Sequence, residues 1–249
     1  MEKIEYETMF SVENDFWWYR GLHDLVLRFV GPAAAVAAGP KKPFRILDAG
    51  CGTGRMMELL LPCGEVEGFD FSEEAVMFCT QRGISSVSRQ DLTTWHGGSD
   101  LYDVIISLDV LCNKSIIDED AIVKEFHRAL KPGGTLIVNL PAFELLRRRH
   151  DRAVHTRKRY AKKETTARFE AAGFFINHAS YRLPYLFLII FCKKWAERLS
   201  GDKGMESDVA MPPRWLNALL TWCNLFENRC IASGVSMPLG TSLFIVARK

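Results

Sequence analysis

A glycine-rich turn between a short apolar strand and a helix is the feature that most constrains the fold of this chain. Residues 44–48 predict the strand, and the turn follows as Gly50-Cys51-Gly52-Thr53-Gly54. Glycine tolerates positive φ and lets the backbone approach a ligand closely. A strand, a tight turn and a helix in this order are typical of open α/β sheets, which bind ligands at the carboxyl ends of their strands.

The rest of the chain continues the alternation of strands and helices. Ser72 is typical of a helix N-cap, and Gly83 is typical of the position after a last helical turn. The alternation of buried strands with helices predicts a doubly wound α/β sheet in a single domain, residues 1–249. The predicted strands are 44–48, 66–70, 84–88, 102–108, 135–141, 174–183 and 242–249.

Composition supports a folded globular protein. The chain has 249 residues, of which 48% are hydrophobic and 25% charged, and this excludes a largely disordered protein. The net charge of +2 is too even to indicate a nucleic-acid partner. The seven cysteines include no CxxC pair, which disfavours a disulfide framework or a zinc site and fits a reducing compartment.

The longest run of apolar residues is 185–192, which is eight residues long. A spanning helix needs about 20 apolar residues. The N-terminal residues start with charges and do not resemble a signal peptide. We therefore expect a cytoplasmic protein, with peripheral membrane contact through 185–192 as an open alternative.

Three segments depart from the alternation. A predicted amphipathic helix over 15–30, ended by Gly31-Pro32, places a helical lid in residues 1–31. Residues 142–162 are densely basic. Residues 184–240 separate the last two predicted strands and contain two helix candidates, 185–199 and 213–232. Long insertions are often functional, and for this one we weigh a cap beside the substrate entrance, a membrane contact and a dimer interface.

Five motifs in order resemble those of class I S-adenosylmethionine (SAM) methyltransferases over about residues 10–180. Position 55 is arginine, so the turn lacks the third glycine of a dinucleotide fingerprint. The motifs are Asp48 with the glycine turn, Asp70 after the second strand, Asp91 after the third, Ser107–Leu111 after the fourth and Leu130–Gly134 before the fifth.

This resemblance implies a Rossmann-like sheet of seven strands, mostly parallel with an antiparallel last strand, that binds SAM and releases S-adenosylhomocysteine. The family needs no metal for most small-molecule methylation, because the sulfonium already activates the methyl group. The implied cofactor contacts are Trp18, Arg20, Asp48, Gly50, Cys51, Gly52, Gly54, Asp70, Phe71, Asp91, Leu92, Leu108 and Asp109.

A narrower resemblance is to bacterial methyltransferases of the type-11 group, through residues 16–20, 155–160 and 238–243. We expect Trp17, Tyr19, Asn113, Arg157 and Arg159 to contact the acceptor, although Asn113 stands where many relatives carry histidine. Core packing is the alternative for the aromatic residues, of which at least one must face a cavity or another surface. The implied catalytic residues are His155, Asp151 and Tyr160.

The roles of residues 151–160 have more than one interpretation. If the basic segment is helical, Asp151 and His155 share a face, and Asp151 orients His155 as a general base. Arginines suit a phosphate or carboxylate on the acceptor. The alternatives are a structural histidine and a solvated basic face.

The expected function is therefore methyl transfer from SAM to a small-molecule acceptor that is phosphorylated, carboxylated or lipid-linked, with oxygen favoured over carbon or nitrogen. Two alternatives stay open at this stage. One is a SAM-dependent enzyme that does not methylate, such as a cyclase. The other is a non-catalytic SAM-binding partner protein at a membrane. A homodimer is a further open possibility, and no nucleic-acid partner is expected.

Overall fold

A seven-stranded sheet forms the centre of the protein. The structure is a computed structural model that describes residues 3–37, 43–147, 150–191 and 211–249. The strands are β1 Arg45–Ala49, β2 Glu65–Asp70, β3 Val87–Arg89, β4 Tyr102–Leu108, β5 Leu130–Pro141, β6 Phe175–Arg182 and β7 Ser242–Arg248.

The strand order confirms the predicted doubly wound fold. The sheet runs β3-β2-β1-β4-β5-β7-β6. The strand β1 pairs in parallel with both β2 and β4, so the order reverses there. The last strand β7 is antiparallel to β5 and to β6, as expected. A reversal of strand order opens a crevice at the carboxyl ends of the strands, where α/β sheets bind ligands.

Helices cover both faces of the sheet. Their bounds are α1 Lys3–Val12, α2 Trp17–Ala37, α3 Arg55–Leu60, α4 Glu73–Gln81, α5 Glu119–Ala129, α6 His150–Ala153, α7 Lys162–Ala171, α8 at 184–191 and α9 Arg214–Ala232.

Side chains that alternate along the strands build two cores. Ile46 and Ile106 join the core on one face, together with Val26 of α2. Leu47 and Ile105 join the core on the other face. Successive residues of a strand point to opposite faces, so both faces are closed to water and the carboxyl edge remains for a ligand.

The predicted end of the second helix is wrong. The helix α2 continues through Gly31 and Pro32 to Ala37. Proline lacks the N–H that would bond to the carbonyl of the previous turn. Alanine-rich residues follow at 33–37, and Ala34 is buried. Their high helix propensity and this burial offset the lost hydrogen bond.

The insertion 184–240 packs against the protein's own α2. Asn217 Oδ1 accepts a hydrogen bond from the backbone N of Trp17 at 3.0 Å, and Asn228 Nδ2 donates to the carbonyl of Gly21 at 2.7 Å. The predicted helix 185–199 is helical to residue 191, and its remainder lies outside the described residues. The helix α9 of the insertion thus packs on α2.

Candidate active site

The glycine turn lies at the carboxyl end of β1. Gly50, Gly52 and Gly54 have φ values of 90°, 53° and 82°. The backbone N–H groups of Gly50 and Cys51 donate to the carbonyl of Phe69 at 2.9 and 3.0 Å. At Gly52 a Cβ atom would lie 2.9 Å from the Cε of Met9. The positive φ favours glycine there, whereas the contact with the flexible end of Met9 can be relieved by a shift of that side chain.

Asp70 closes onto the turn from the end of β2. Its Oδ2 accepts from the N–H of Gly52 at 3.0 Å, and its Oδ1 accepts from the N–H of Ser72 at 3.0 Å and from the hydroxyl of Tyr6 at 3.2 Å. Burial raises the pKa of this carboxyl, although the two backbone donors favour its ionised form. The structure therefore brings together the two strongest elements of the predicted cofactor site.

The helix α1 covers the turn, and our sequence reasoning missed its residues. Besides Tyr6 and Met9, Glu13 Oε1 accepts from the hydroxyl of Thr53 at 2.5 Å and pairs with Arg82. Positions 6, 9 and 13 lie on one helix face. That spacing is the sequence signal that could have identified them.

Two further aspartates lie at the carboxyl ends of strands beside the crevice, Asp48 within β1 and Asp109 directly after β4. Asp48 is 2% exposed, and its Oδ2 has no hydrogen-bond partner. Burial, followed by the neighbouring Asp70, raises the pKa of Asp48 to about 7. Asp109 has a φ of 59°, and its Oδ2 accepts from Asn139 Nδ2 at 2.8 Å. Burial raises the pKa of Asp109 to about 6.

The other predicted cofactor residues differ in their exposure and in their contacts. Asp91 Oδ1 accepts from the backbone N and the hydroxyl of Thr93, both at 2.8 Å. Phe71 is exposed, and Arg20 is exposed on α2. Among the remaining predicted contacts, Leu92 and Cys51 are buried, and Trp18 and Leu108 are half-buried.

One face of α2 turns toward the crevice. Tyr19 is half-buried, and burial, Glu13 and Asp109 raise its pKa. Its ring centroid lies 6.2 Å from that of His23. Burial lowers the pKa of His23 to about 3, so this imidazole is neutral. His23 was not among the predicted site residues, although its spacing of four from Tyr19 places both on one face. Trp17 is buried.

The basic segment is not the continuous helix on which the expected Asp151–His155 pair depended. The helix α6 ends at Ala153, and His155 has a φ of 59°. Asp151 instead accepts a bidentate pair of hydrogen bonds from Arg159, at 2.9 and 3.1 Å. The shared helical face is therefore a wrong prediction, because the chain turns at His155.

Positive charge in this segment pairs with carboxylates of the protein. Glu119 contacts Arg157, and it contacts Lys158 and Arg168 at 3.1 Å each. Arg159 and Asp151 have side chains that are 5% and 3% exposed. Both predicted arginines thus have a carboxylate partner within the protein, and this internal pairing weakens the argument for an anionic acceptor.

Two other predicted residues make internal contacts. The hydroxyl of Tyr160 is buried and donates to the carbonyl of Leu111 at 3.0 Å. Asn113 Oδ1 accepts from the backbone N and the hydroxyl of Ser115 at 3.0 and 3.1 Å. Both residues link the loop after β4 to their surroundings.

The described part of the chain contains neither a cluster of metal-binding side chains nor a membrane-spanning helix. None of its His, Cys, Asp and Glu side chains form a group of three or more that could hold a metal ion. None of its helices is long and apolar enough to cross a membrane.

The sheet order and the glycine-turn site define a methyltransferase fold. Residues 46–134 match a family model described as a methyltransferase domain. This part of the chain is similar to S-adenosylmethionine-dependent methyltransferases.

Comparison with individual proteins adds relatives of several kinds. The chain is 27% identical over 131 residues to a ubiquinone biosynthesis O-methyltransferase of Bordetella avium, covering 49% of this chain and 51% of the relative. It is 29% identical over 166 residues to a trans-aconitate 2-methyltransferase of Mycobacterium ulcerans, covering 65% and 58%. The chain thus spans little more than half the length of these relatives.

The fold is also similar to a solved enzyme structure. Haemonchus contortus phosphoethanolamine N-methyltransferase 2, in complex with phosphomonomethylethanolamine and S-adenosylhomocysteine, aligns with a TM-score of 0.62 at 17% identity. The alignment covers 100% of this chain and 58% of that one. At this identity the likeness supports the fold alone.

Proposed function

We propose that this protein transfers the methyl group of SAM to an oxygen atom of a small-molecule acceptor. The observation that carries the proposal is the approach of the Asp70 carboxylate to the Gly52 N–H, beside the buried Asp48 at the same sheet edge. When bound, SAM supplies a methyl group already activated by a sulfonium.

The residues present fit this cofactor. A carboxylate at the end of β2 suits the two ribose hydroxyls, as in other nucleotide sites of α/β sheets. Of the three donors to Asp70, only Tyr6 belongs to a separate helix and can leave without disturbing the turn. The unpartnered Oδ2 of Asp48 is a buried acceptor available to the cationic end of the cofactor.

Calorimetry with SAM tests the cofactor site. Asp70→Ala should weaken SAM binding by about 1–3 kcal/mol, because the ribose loses its acceptor. Asp120→Ala is the matched control, since Asp120 is exposed and pairs with Arg168 rather than with the glycine turn. Unchanged affinity in Asp70→Ala would remove Asp70 from the site.

A product-mass assay with isotope-labelled SAM tests the reaction. A gain of one labelled methyl group in a product supports transfer. Retention of SAM with an altered acceptor would instead support a non-methylating enzyme, such as a cyclase. Binding of SAM with no product from any acceptor would support a non-catalytic partner protein.

For the acceptor, we keep oxygen as the favoured atom and His155 as the candidate general base. His155 precedes the paired arginines in the segment that leaves the carboxyl end of β5, on the ligand side of the sheet. The internal pairing of Arg157 and Arg159 favours a neutral acceptor over a phosphorylated or carboxylated one. A lipid-linked acceptor is compatible with the surface described next.

We also propose that α9 contacts an anionic lipid surface. Its outer side exposes Trp215, Leu219, Trp222 and Phe226, which are between 50% and 69% exposed. The spacing of three and four residues places them in one row. The exposed charged residues of α9 are Arg214 and Arg229, and its one carboxylate, Glu227, is buried. Aromatic side chains flanked by cations suit the interface of an anionic membrane.

A further inference from the structure

A group of buried polar side chains lies at the carboxyl edge of the sheet, beyond β4 and on the side away from the glycine turn. Arg182, the last residue of β6, is 0% exposed. Its guanidinium donates to Asn139 Oδ1 and to Asn224 Oδ1, both at the long distance of 3.4 Å. Through Asn139 the group reaches Asp109, and through Glu227 it reaches the insertion.

Hydrogen bonding in this group is incomplete. Arg182 Nε, Glu227 Oε2 and the hydroxyl of Tyr185 are buried and have no partner. Within the described residues, no carboxylate oxygen lies within 4.0 Å of the Arg182 nitrogens. Buried polar atoms normally have partners, because leaving them unpaired costs free energy. These three atoms are therefore candidates for a ligand.

The backbone holds the group in place. The N–H of Thr241 donates to the carbonyl of Arg182 at 2.7 Å, and the N–H of Leu183 donates to Glu227 Oε1 at 2.7 Å. On α2, a Cβ at Gly21 would lie 1.9 Å from Asn224 Nδ2. A glycine is thus needed for Asn224 to approach. Fixed surroundings of this kind preorganise polar groups for binding.

The charges of the group indicate what it would bind. Arg182 supplies a positive charge and a donor, whereas Glu227 and nearby Asp109 supply acceptors. An anionic ligand would meet these carboxyl groups, and a cationic ligand would meet the guanidinium. A hydroxyl satisfies both, since its oxygen accepts and its hydrogen donates.

We propose that Arg182, Glu227 and Tyr185 bind a hydroxyl group of a neutral acceptor. The acceptor oxygen receives hydrogen bonds from Arg182 Nε and from the Tyr185 hydroxyl, and its hydrogen is donated to Glu227 Oε2. The inference rests on the proposed methyl transfer and names the acceptor's chemical class. It places the acceptor on the β5-β7-β6 half of the edge and the cofactor on the β1-β2 half.

Ligand-observed NMR on the protein loaded with S-adenosylhomocysteine tests this. The probes are 1,2-dihydroxybenzene, 1,2-dimethoxybenzene, which lacks the hydroxyl donors, and benzoate, which is anionic. The variants are Glu227→Gln and Tyr185→Phe, with Glu164→Gln as the exposed control. In Glu227→Gln the amide oxygen can keep the Leu183 hydrogen bond, and a donor replaces the free acceptor.

The wild type should bind the dihydroxy probe at least tenfold more tightly than the other two. Glu227→Gln and Tyr185→Phe should each weaken that binding about tenfold, whereas Glu164→Gln should not. Failure of the dihydroxy probe to bind the wild type, or equal binding in all variants, would overturn the proposal. Tighter binding of benzoate would do so as well.

Thermal unfolding separates a ligand role from a structural one. Tyr185→Phe removes a hydroxyl that has no partner, so its melting temperature should equal or exceed that of the wild type. A melting temperature several degrees lower would assign the hydroxyl a structural role and overturn the proposal. Calorimetry with SAM on the same variants should show unchanged affinity. Absence of SAM binding in the wild type would instead overturn the proposed function.

Discussion

The hydroxyl of Tyr6 donates to Oδ1 of Asp70 at 3.2 Å, and it joins the first helix of the chain to the acid at the end of β2. This contact places α1 over the glycine turn. Tyr6 therefore bonds to the carboxylate that we propose as the acceptor for the cofactor ribose.

Removing the Tyr6 hydroxyl should favour cofactor binding. Tyr6→Phe keeps the ring and frees one of the two acceptor positions of Asp70 Oδ1, whose other hydrogen bond, from Ser72, remains. SAM affinity should therefore rise about 2–10-fold, the equivalent of one ordinary hydrogen bond. Titration calorimetry with SAM measures this change in affinity. Tyr102→Phe is the matched control, because its hydroxyl bonds to Glu67 rather than to Asp70. Weaker SAM binding in Tyr6→Phe would show that Tyr6 contacts the cofactor directly.

Asp48 should make stability depend on pH. Its pKa rises from an ordinary 3.8 to about 7 on folding, so the folded protein binds this proton more tightly than the unfolded chain does. The resulting stabilisation is present below about pH 4 and is lost as the pH rises to about 7. The loss is on the order of a few kcal/mol.

Urea unfolding at pH 5 and pH 8 measures this contribution. In the wild type the unfolding free energy should be lower at pH 8 than at pH 5. Asp48→Asn should make this difference smaller, whereas Asp91→Asn should leave it unchanged. SAM affinity should rise between pH 6 and 8 in the wild type, because a cation favours ionised Asp48. If neither the unfolding free energy nor the SAM affinity of the wild type changed with pH, both expectations would be contradicted.

His155 is best tested with asparagine. The residue has a φ of 59°, a conformation that asparagine tolerates better than alanine. If His155 is the general base, His155→Asn should reduce turnover by roughly 10²–10⁴ with SAM affinity nearly unchanged. Turnover is followed on the acceptor found by the product-mass assay. Near wild-type turnover would leave proximity and the reactivity of SAM to account for catalysis.

Arg159 should contribute to stability rather than to acceptor binding. Its bidentate pair with Asp151 is buried, so Arg159→Ala removes two charge-assisted hydrogen bonds from a buried carboxylate. The unfolding free energy should fall by about 3–5 kcal/mol. Arg89→Ala breaks an exposed pair with Glu73 and should cost less than about 1 kcal/mol. A stable Arg159→Ala enzyme with a raised KM for the acceptor would restore the anion-binding interpretation.

The α9 surface should bind anionic vesicles. The wild type should sediment with vesicles of phosphatidylglycerol and phosphatidylcholine, but not with phosphatidylcholine alone. Trp215→Ser with Trp222→Ser should reduce binding at least tenfold, because both exposed rings are lost. Ile117→Ser is the control, since Ile117 is 86% exposed elsewhere. A dimer in light scattering that this double variant dissociates would instead assign the surface to a second copy.

Much of the fold follows from local patterns. The strand β4 has the predicted bounds, and Ser72 accepts a hydrogen bond from the N–H of Ala75, as an N-cap does. The glycines at 50, 52 and 54 adopt the positive φ expected of them. These features depend on neighbours in sequence, so spacing and residue type are enough to predict them.

The basic segment shows where local reasoning failed. Spacing of four residues predicts a contact only inside a helix, and the chain turns at His155 instead. The partners of Arg157 and Arg159 are Glu119 and Asp151, and the first lies 38 residues away. A run of positive charge cannot reveal such partners, because they depend on which elements the fold brings together.

The sequence by itself determined the alternating sheet, the glycine turn and the acid after β2, because regular periodicity and turn chemistry are encoded within a few residues. Only the tertiary structure decided that Tyr6 bonds to Asp70, that α9 packs on α2 and that Arg182 is buried beside Glu227. Those contacts join residues 42 to 207 positions apart. Each forms because the folded sheet gathers the ends of distant strands and helices at one edge, where burial sets the cost of every unpaired polar atom.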